Sequence, residues 1–152
     1  MDYRRPEGPV AEAIRATIEP DGYRLVAYSA EVINRRLHVH CVLHHPDGVG
    51  LDALAELHRA LQPQIETLLG RDEPHPDVRI EFSSPGLTRS FNSFHEFEVF
   101  RGRRVSILPI DASEWIHGAV LAADSEQCLI RSDDGTEHTF RPDSVVKARL
   151  SE

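Results

Sequence analysis

The densest run of potential chemistry is His38-Val39-His40-Cys41-Val42-Leu43-His44-His45. On a strand, successive side chains point to opposite faces, so His38, His40 and His44 share one side. Two imidazoles at i and i+2 can reach one zinc ion, but a catalytic zinc site also needs a third placed ligand and an ordered outer shell. No third ligand has matching spacing, and the same pattern describes the solvated face of a half-buried sheet. The expectation is therefore no metal and no cofactor. Acyl transfer would call for a Gly-x-Ser-x-Gly elbow and phosphate binding for a Gly-x-x-x-x-Gly-Lys loop; the chain has neither. Cys41 and Cys128 lie in separate apolar, strand-like stretches, which predicts buried free thiols in a reducing compartment rather than a nucleophile. Asp133-Asp134-Gly135 has the composition of a hairpin turn, not of a carboxylate pair divided by a cleft. Nothing in this inventory points to an enzyme.

Other residues could bind rather than react. Phe94, Phe97 and Phe100 could stack bases, but their helical spacing predicts a buried packing face. Trp115, early in a strand, fits either a core or an interface. Arg89, Arg101, Arg103 and Arg104 are close together in sequence and could form a patch for RNA. The stretch Ile80-Glu81-Phe82-Ser83-Ser84-Pro85-Gly86-Leu87-Thr88-Arg89 runs from a strand through a turn to an arginine. These residues alone do not choose between a linker and a binding site.

The charge balance narrows the partners. The 152 residues carry a net charge of −8, from 25 acidic and 17 basic side chains. Wrapping duplex nucleic acid by phosphate neutralisation wants the opposite sign, so a basic protein, or the protein face of a ribonucleoprotein, is the favoured partner. Lys147 is the only lysine beside the arginines, and Arg suits planar, bidentate contacts. With 40% hydrophobic and 28% charged residues the composition is that of a folded soluble protein. No apolar run reaches signal-peptide or membrane-span length, so a cytoplasmic monomer is expected.

The elements that must position these residues follow from apolar period. Pro9 to Ile18 reads as a helix, stopped by Pro20, Asp21 and Gly22. Tyr23–Val32 and Arg36–His44 read as an antiparallel hairpin turning near Asn34, with Leu37, Val39, Cys41 and Leu43 inward. A helix over 52–69 presents Leu54, His58, Leu61, Ile65 and Leu68, with Asp52 as N-cap and Gly70 as stop. Pro63 inside it must kink the helix or start a second one. Asp77–Ser83 is a third strand, with Val78, Ile80 and Phe82 on one face. Pro85-Gly86 suits a type II turn with Gly86 at positive φ. Ser93-Phe94-His95-Glu96 is a capping-box pattern for a short helix. Five short strands follow, over 103–110, 114–123, 127–131, 137–141 and 145–150, with Pro142-Asp143-Ser144 as a tight turn. The expected fold class is α+β. It comprises an N-terminal two-layer α/β sandwich over 1–88 and a C-terminal Sm-like or SH3-like small β-barrel over 89–152.

Glu81-Phe82-Ser83-Ser84-Pro85-Gly86-Leu87-Thr88-Arg89 resembles the junction motif of the RimP family. Gly22-Tyr23-Arg24-Leu25-Val26 is similar to that family's first strand, and Gly48-Val49-Gly50-Leu51-Asp52 to the entry to its second helix. Phe97, Phe100, Arg101 and Gly102 fit its short helix, and Phe140 through Val146-Lys147-Ala148-Arg149-Leu150 the end of its barrel. Thr88 stands where the family commonly has Asp, Ser90-Phe91 where it has Pro-Leu, and Ala53-Leu54 where an acidic residue and Cys are frequent.

The resemblance implies a non-catalytic maturation factor of the small ribosomal subunit. Such a factor binds the subunit precursor and a very basic protein, the twelfth of the small subunit, largely through the barrel. Residues 92–152 hold 11 acidic and 7 basic side chains. The candidate partner-binding residues are Ser84, Pro85, Gly86 and Arg89 at the junction, with Asp124, Glu126, Asp133 and Asp134 on acidic loops. In the alternative, an Sm-like module touching rRNA directly, Arg101, Arg103 and Arg104 make the contacts.

Overall fold

The computed structural model describes residues 1–69 and 77–151. The chain divides into two compact units, residues 6–85 and residues 1–5 with 86–152. Secondary structure is mixed α+β, with two sheets.

In the first unit, helix α1 (Pro9–Ile18) starts with proline at its first position, where the missing N–H costs nothing. A 3₁₀ turn (Glu19–Asp21) follows, and Gly22 at φ 88° ends it. Strands β1 (Arg24–Ile33) and β2 (Arg36–His44) pair antiparallel, with Ile33 opposite Arg36. The two residues between them, Asn34 and Arg35, take φ 51° and 67°. Such doubly positive φ belongs to the type I′ hairpin, whose twist matches the strands. Helix α2 (Leu51–Leu69) leads back to β3 (Asp77–Ser83), which joins β2 in parallel. The sheet order is β1-β2-β3. Its inner face carries Leu37, Val39, Cys41, Leu43 and Ile80. These meet Ala11, Ile14 and Ile18 of α1 and Leu57, Leu61 and Ile65 of α2.

Three expectations about this stretch change, and the two alternatives for Pro63 narrow to one helix. The buried stripe of α2 runs through Leu57, not His58, which is exposed, and Leu68 is 43% exposed. Leu57 lies 100° from His58 around the helix, and a leucine gains more from burial than an imidazole does. Helix α2 begins at Leu51, so Asp52 sits in its first turn rather than at the cap; Leu54 N–H donates to the Gly50 carbonyl. Pro63 lies within one helical element on its exposed side, where water can take up the carbonyl its ring frees. The Ser84–Arg89 turn has Gly86 first: Arg89 N–H donates to the Gly86 carbonyl at 3.2 Å, and Gly86 is not among the positive-φ glycines. The proposed stop at Gly70 lies outside the described residues.

In the second unit, a short helix α3 (Glu96–Val99) precedes β4 (Arg104–Pro109), β5 (Ile116–Ala123), β6 (Cys128–Ser132), β7 (Glu137–Phe140) and β8 (Val145–Leu150). Pro142–Ser144 is a 3₁₀ turn. All pairings are antiparallel, in the order β7-β6-β5-β4-β8. The sheet is open: among the described residues, no ladder joins β7 to β8. Bulges fall at Leu108/Pro109 and Val120/Ala122, where they add twist and bend. Phe94, Phe97 and Phe100 are fully buried, and Phe91 stacks on Phe100 at 5.4 Å. The aromatic run is core, as its spacing predicts. Residues 1–5 belong to this unit: Phe94 N–H donates to the Asp2 carbonyl, and Arg4 N–H to Ser93 Oγ.

Candidate partner-binding surface

The acidic loop residues are exposed, and most are already engaged locally. In the β6–β7 turn, Asp134 Oδ1 accepts from Ser132 Oγ and from Thr136 N–H. The Ser132 hydroxyl, then the Thr136 amide, hold its carboxyl down from the ordinary 3.8 to about 2. A carboxylate whose folded value is depressed adds stability that is intact above about 3.8 and disappears as pH falls through about 2. The Thr136 amide resonance of the folded protein should therefore shift with a midpoint near pH 2, and this group should not move it between pH 5 and 7. An Asp134→Asn variant should lose the acid transition.

Asp133 accepts two hydrogen bonds from Arg104, at 2.8 and 2.9 Å. This bidentate pair lowers the Asp133 carboxyl and raises the guanidinium. Arg104 and Asp133 were read from the sequence as contacts for two different partners; the fold brings them together and neutralises them. Asp124 Oδ1 accepts from Glu126 N–H and Gln127 N–H at 2.8 and 2.9 Å, so it shapes the β5–β6 turn while the residue stays exposed. Glu126 is exposed. Arg101 donates to the Leu121 carbonyl at 3.1 Å, and Arg103 is half-buried.

The junction residues separate by environment. Ser84 and Gly86 are exposed and Pro85 half-buried, whereas Arg89 is turned inward. Its Nε donates to Glu96 Oε1 at 2.5 Å, with the two side chains 15% and 1% exposed. The other Glu96 oxygen accepts from Asn92 N–H and Ser93 N–H at 2.6 and 3.2 Å. The N-cap of α3 is His95, with no side-chain cap bond, rather than the Ser93 that the capping-box pattern predicts, and Glu96 is the counter-ion for Arg89, a pairing that local spacing does not show.

The histidines do not converge. His38 and His40 lie on the outward sheet face, and His40 shares a hydrogen bond with Ser83 Oγ at 3.0 Å. His45 donates to the Asp21 carbonyl and accepts from Asp47 N–H. Among the described residues, no group of three His, Cys, Asp or Glu could hold a metal ion. Burial pushes the Cys41 and Cys128 thiols up to about 12, which disfavours the thiolate. One serine–histidine pair, Ser106 Oγ with His117 Nδ1 at 2.7 Å, was not singled out from the sequence. Ser106 is 1% exposed, so its hydroxyl cannot be reached by a substrate. Trp115 is half-buried, with the Arg149 guanidinium carbon 4.8 Å above its ring. No helix among the described residues is long and apolar enough to cross a membrane.

Residues 13–88 match the family described as the RimP N-terminal domain. The chain belongs to the RimP family. The ribosome maturation factor RimP of Borrelia hermsii (strain HS1 / DAH) is 28% identical over 113 residues, covering 74% of this chain and 73% of the relative. That of Borrelia turicatae (strain 91E135) is 27% identical over 113 residues, with the same two shares. The Borreliella afzelii (strain PKo) protein is 29% identical over 103 residues, covering 68% and 66%. The family match spans β1, β2, α2 and β3 and extends through the Ser84-Pro85-Gly86 junction. The acidic turns and Arg104 lie beyond it, so their roles rest on geometry alone.

Proposed function

We propose that this RimP family member is a cytoplasmic, non-enzymatic maturation factor of the small ribosomal subunit. It binds the subunit precursor together with a strongly basic small-subunit protein, the twelfth. The observation that carries the reading is the family match over residues 13–88, joined to relatives named ribosome maturation factor RimP. The order β7-β6-β5-β4-β8, bent at two bulges, supports a small Sm-like barrel in residues 89–152. Under this reading the α/β sandwich expected over 1–88 is made by residues 6–85, because residues 1–5 belong to the second unit, and the Ser84-Pro85-Gly86 segment links the two.

The carboxylates of Glu126, Asp124 and Asp134 stand exposed at turns. Asp134, being exposed, is ionised throughout the physiological range, as an ordinary aspartate is. Such fixed, solvated negative charge screens a cationic protein until rRNA takes over, and it acts mainly on the association rate. Capture of the basic ribosomal protein by the immobilised full chain should weaken as salt rises from low to moderate concentration, because exposed charges are screened within about a Debye length. Replacing Asp124, Glu126 and Asp134 together by Asn, Gln and Asn should slow association about tenfold with little change in dissociation. Capture indifferent both to salt and to the triple substitution rules out the electrostatic mechanism.

A further inference from the structure

The outward face of the five-stranded sheet carries charge opposite to that of the chain. Register sets Arg149, Ser106 and His117 side by side across β8, β4 and β5. The next row is Arg104, Ala119, Arg131 and Glu137 across β4 to β7. Lys147 lies two positions before Arg149 and therefore on the same face, opposite Leu108. The strand positions of this face thus present Arg104, Arg131, Lys147 and Arg149 against one carboxylate, Glu137. Arg131 is paired with Glu137 at 3.1 Å and Arg104 with Asp133 at 2.8 Å. Lys147 and Arg149 are exposed, and neither has an ion pair among the described residues. Of the other acids of this unit, Asp111 and Glu114 lie before β5, Asp124 and Glu126 after it, and Asp134 and Asp143 further on, all in connections, while Glu96 and Glu98 lie on α3 and Asp2 in the N-terminal segment.

Trp115 adds a second, independent feature. Arg149 lies over its ring at 4.8 Å, within the range of a cation–π contact. An arginine held on an indole is a flat cationic platform: a nucleobase stacks on the pair while the guanidinium and a neighbouring ammonium meet the flanking phosphates.

We propose that this face binds a short stretch of single-stranded RNA, with a base on the Trp115–Arg149 pair and phosphates on Arg149 and Lys147. A duplex fits less well, because two free cations neutralise too few phosphates and the acidic connections would oppose an extended polyanion. An acidic peptide would meet the cations alone, whereas RNA also brings bases that stack on the flat guanidinium–indole pair, so the platform favours RNA. The RNA face uses none of the carboxylates that hold the basic protein, and it stands or falls separately from that capture.

The test is titration of the full chain with a fluorescein-labelled oligouridylate of about 12 nucleotides, a length within the usual single-strand site range. Anisotropy reports binding, and emission from Trp115, the only tryptophan, reports the site. Binding should saturate and quench Trp115. With about two phosphate contacts the affinity should fall roughly sevenfold between 50 and 200 mM salt. The double variant Lys147→Gln/Arg149→Gln should bind at least about tenfold more weakly, and Trp115→Leu about fivefold or more. Absence of saturable binding overturns the proposal, as does binding unchanged in the double variant. So does equal quenching of Trp115 by a polyglutamate peptide of matched charge, which would make the face a site for acidic protein.

Discussion

Arg89→Met is expected to destabilise the protein by about 3–5 kcal/mol, the cost of leaving one member of a buried ion pair without the other. Glu96 is 1% exposed and Arg89 15% exposed in their pair, so water can do little to solvate the stranded carboxylate. The two amides that donate to Glu96, from Asn92 and Ser93, remain in the variant and keep the loss from being larger. Arg89 is also tied by its backbone, because Leu150 N–H donates to its carbonyl at 2.9 Å. The substitution therefore removes the charge without cutting the strand contact. Glu96→Gln should cost less, since an amide oxygen still accepts from both backbone donors. Urea unfolding of the full chain measures both. A loss below about 1 kcal/mol for Arg89→Met would show that the pair contributes as little as a surface salt bridge. The Arg that stands out in the junction motif is, on this account, a structural anchor of the second unit rather than a contact for a partner.

Gly118→Ala should be at least as damaging. A Cβ at Gly118 would meet the Arg131 carbonyl oxygen at 2.2 Å, and the Arg131 carbonyl carbon and Ser132 Cα at 2.8 Å. All three atoms are backbone of β6, the strand paired with β5 here, so no side chain can swing aside. The ladder must open, and the expected cost is about 3 kcal/mol or more, at the upper end for overpacking. The melting temperature should drop accordingly, and the protein should lose its Arg104–Asp133 contact, because Asp133 N–H donates to the His117 carbonyl beside the clash. Gly86→Ala is the control: nothing lies within 4 Å of its Cβ position, and the substitution should not lower stability. Equal effects at the two glycines would contradict the packing described for β5 and β6.

How much was legible in the sequence depended on whether a signal was local. Alternation in Leu37, Val39, Cys41 and Leu43 identified the buried face of β2, and Val78, Ile80 and Phe82 that of β3, because a two-residue period leaves little choice of face. Helical spacing alone placed Phe94, Phe97 and Phe100 in the core. On α2 the same reasoning slipped by one residue: Leu57 and His58 both fit the stripe Leu54–Leu61–Ile65, and only packing selects the leucine. Pro-Gly at 85–86 fits several turns, and the choice of Gly86 as the first residue was not encoded in the dipeptide. Ion pairs between distant residues left no trace at all. Arg104 and Asp133 are 29 positions apart, and their mutual neutralisation removes both from the list of free contacts. The hydrogen bonds from Ser93 and Phe94 to Asp2 and Arg4 were equally silent, since no apolar period marks residues 1–5.

The exposed carboxylates that remain, and the family that residues 13–88 place the chain in, lead to one cellular consequence. In cells lacking this gene, the sedimentation profile of ribosomal particles should show immature small subunits accumulating while large subunits run free of partners. Restoring the wild-type chain should return the profile to normal. A profile indistinguishable from that of the parent cells, with small subunits maturing at the ordinary pace, would contradict the account.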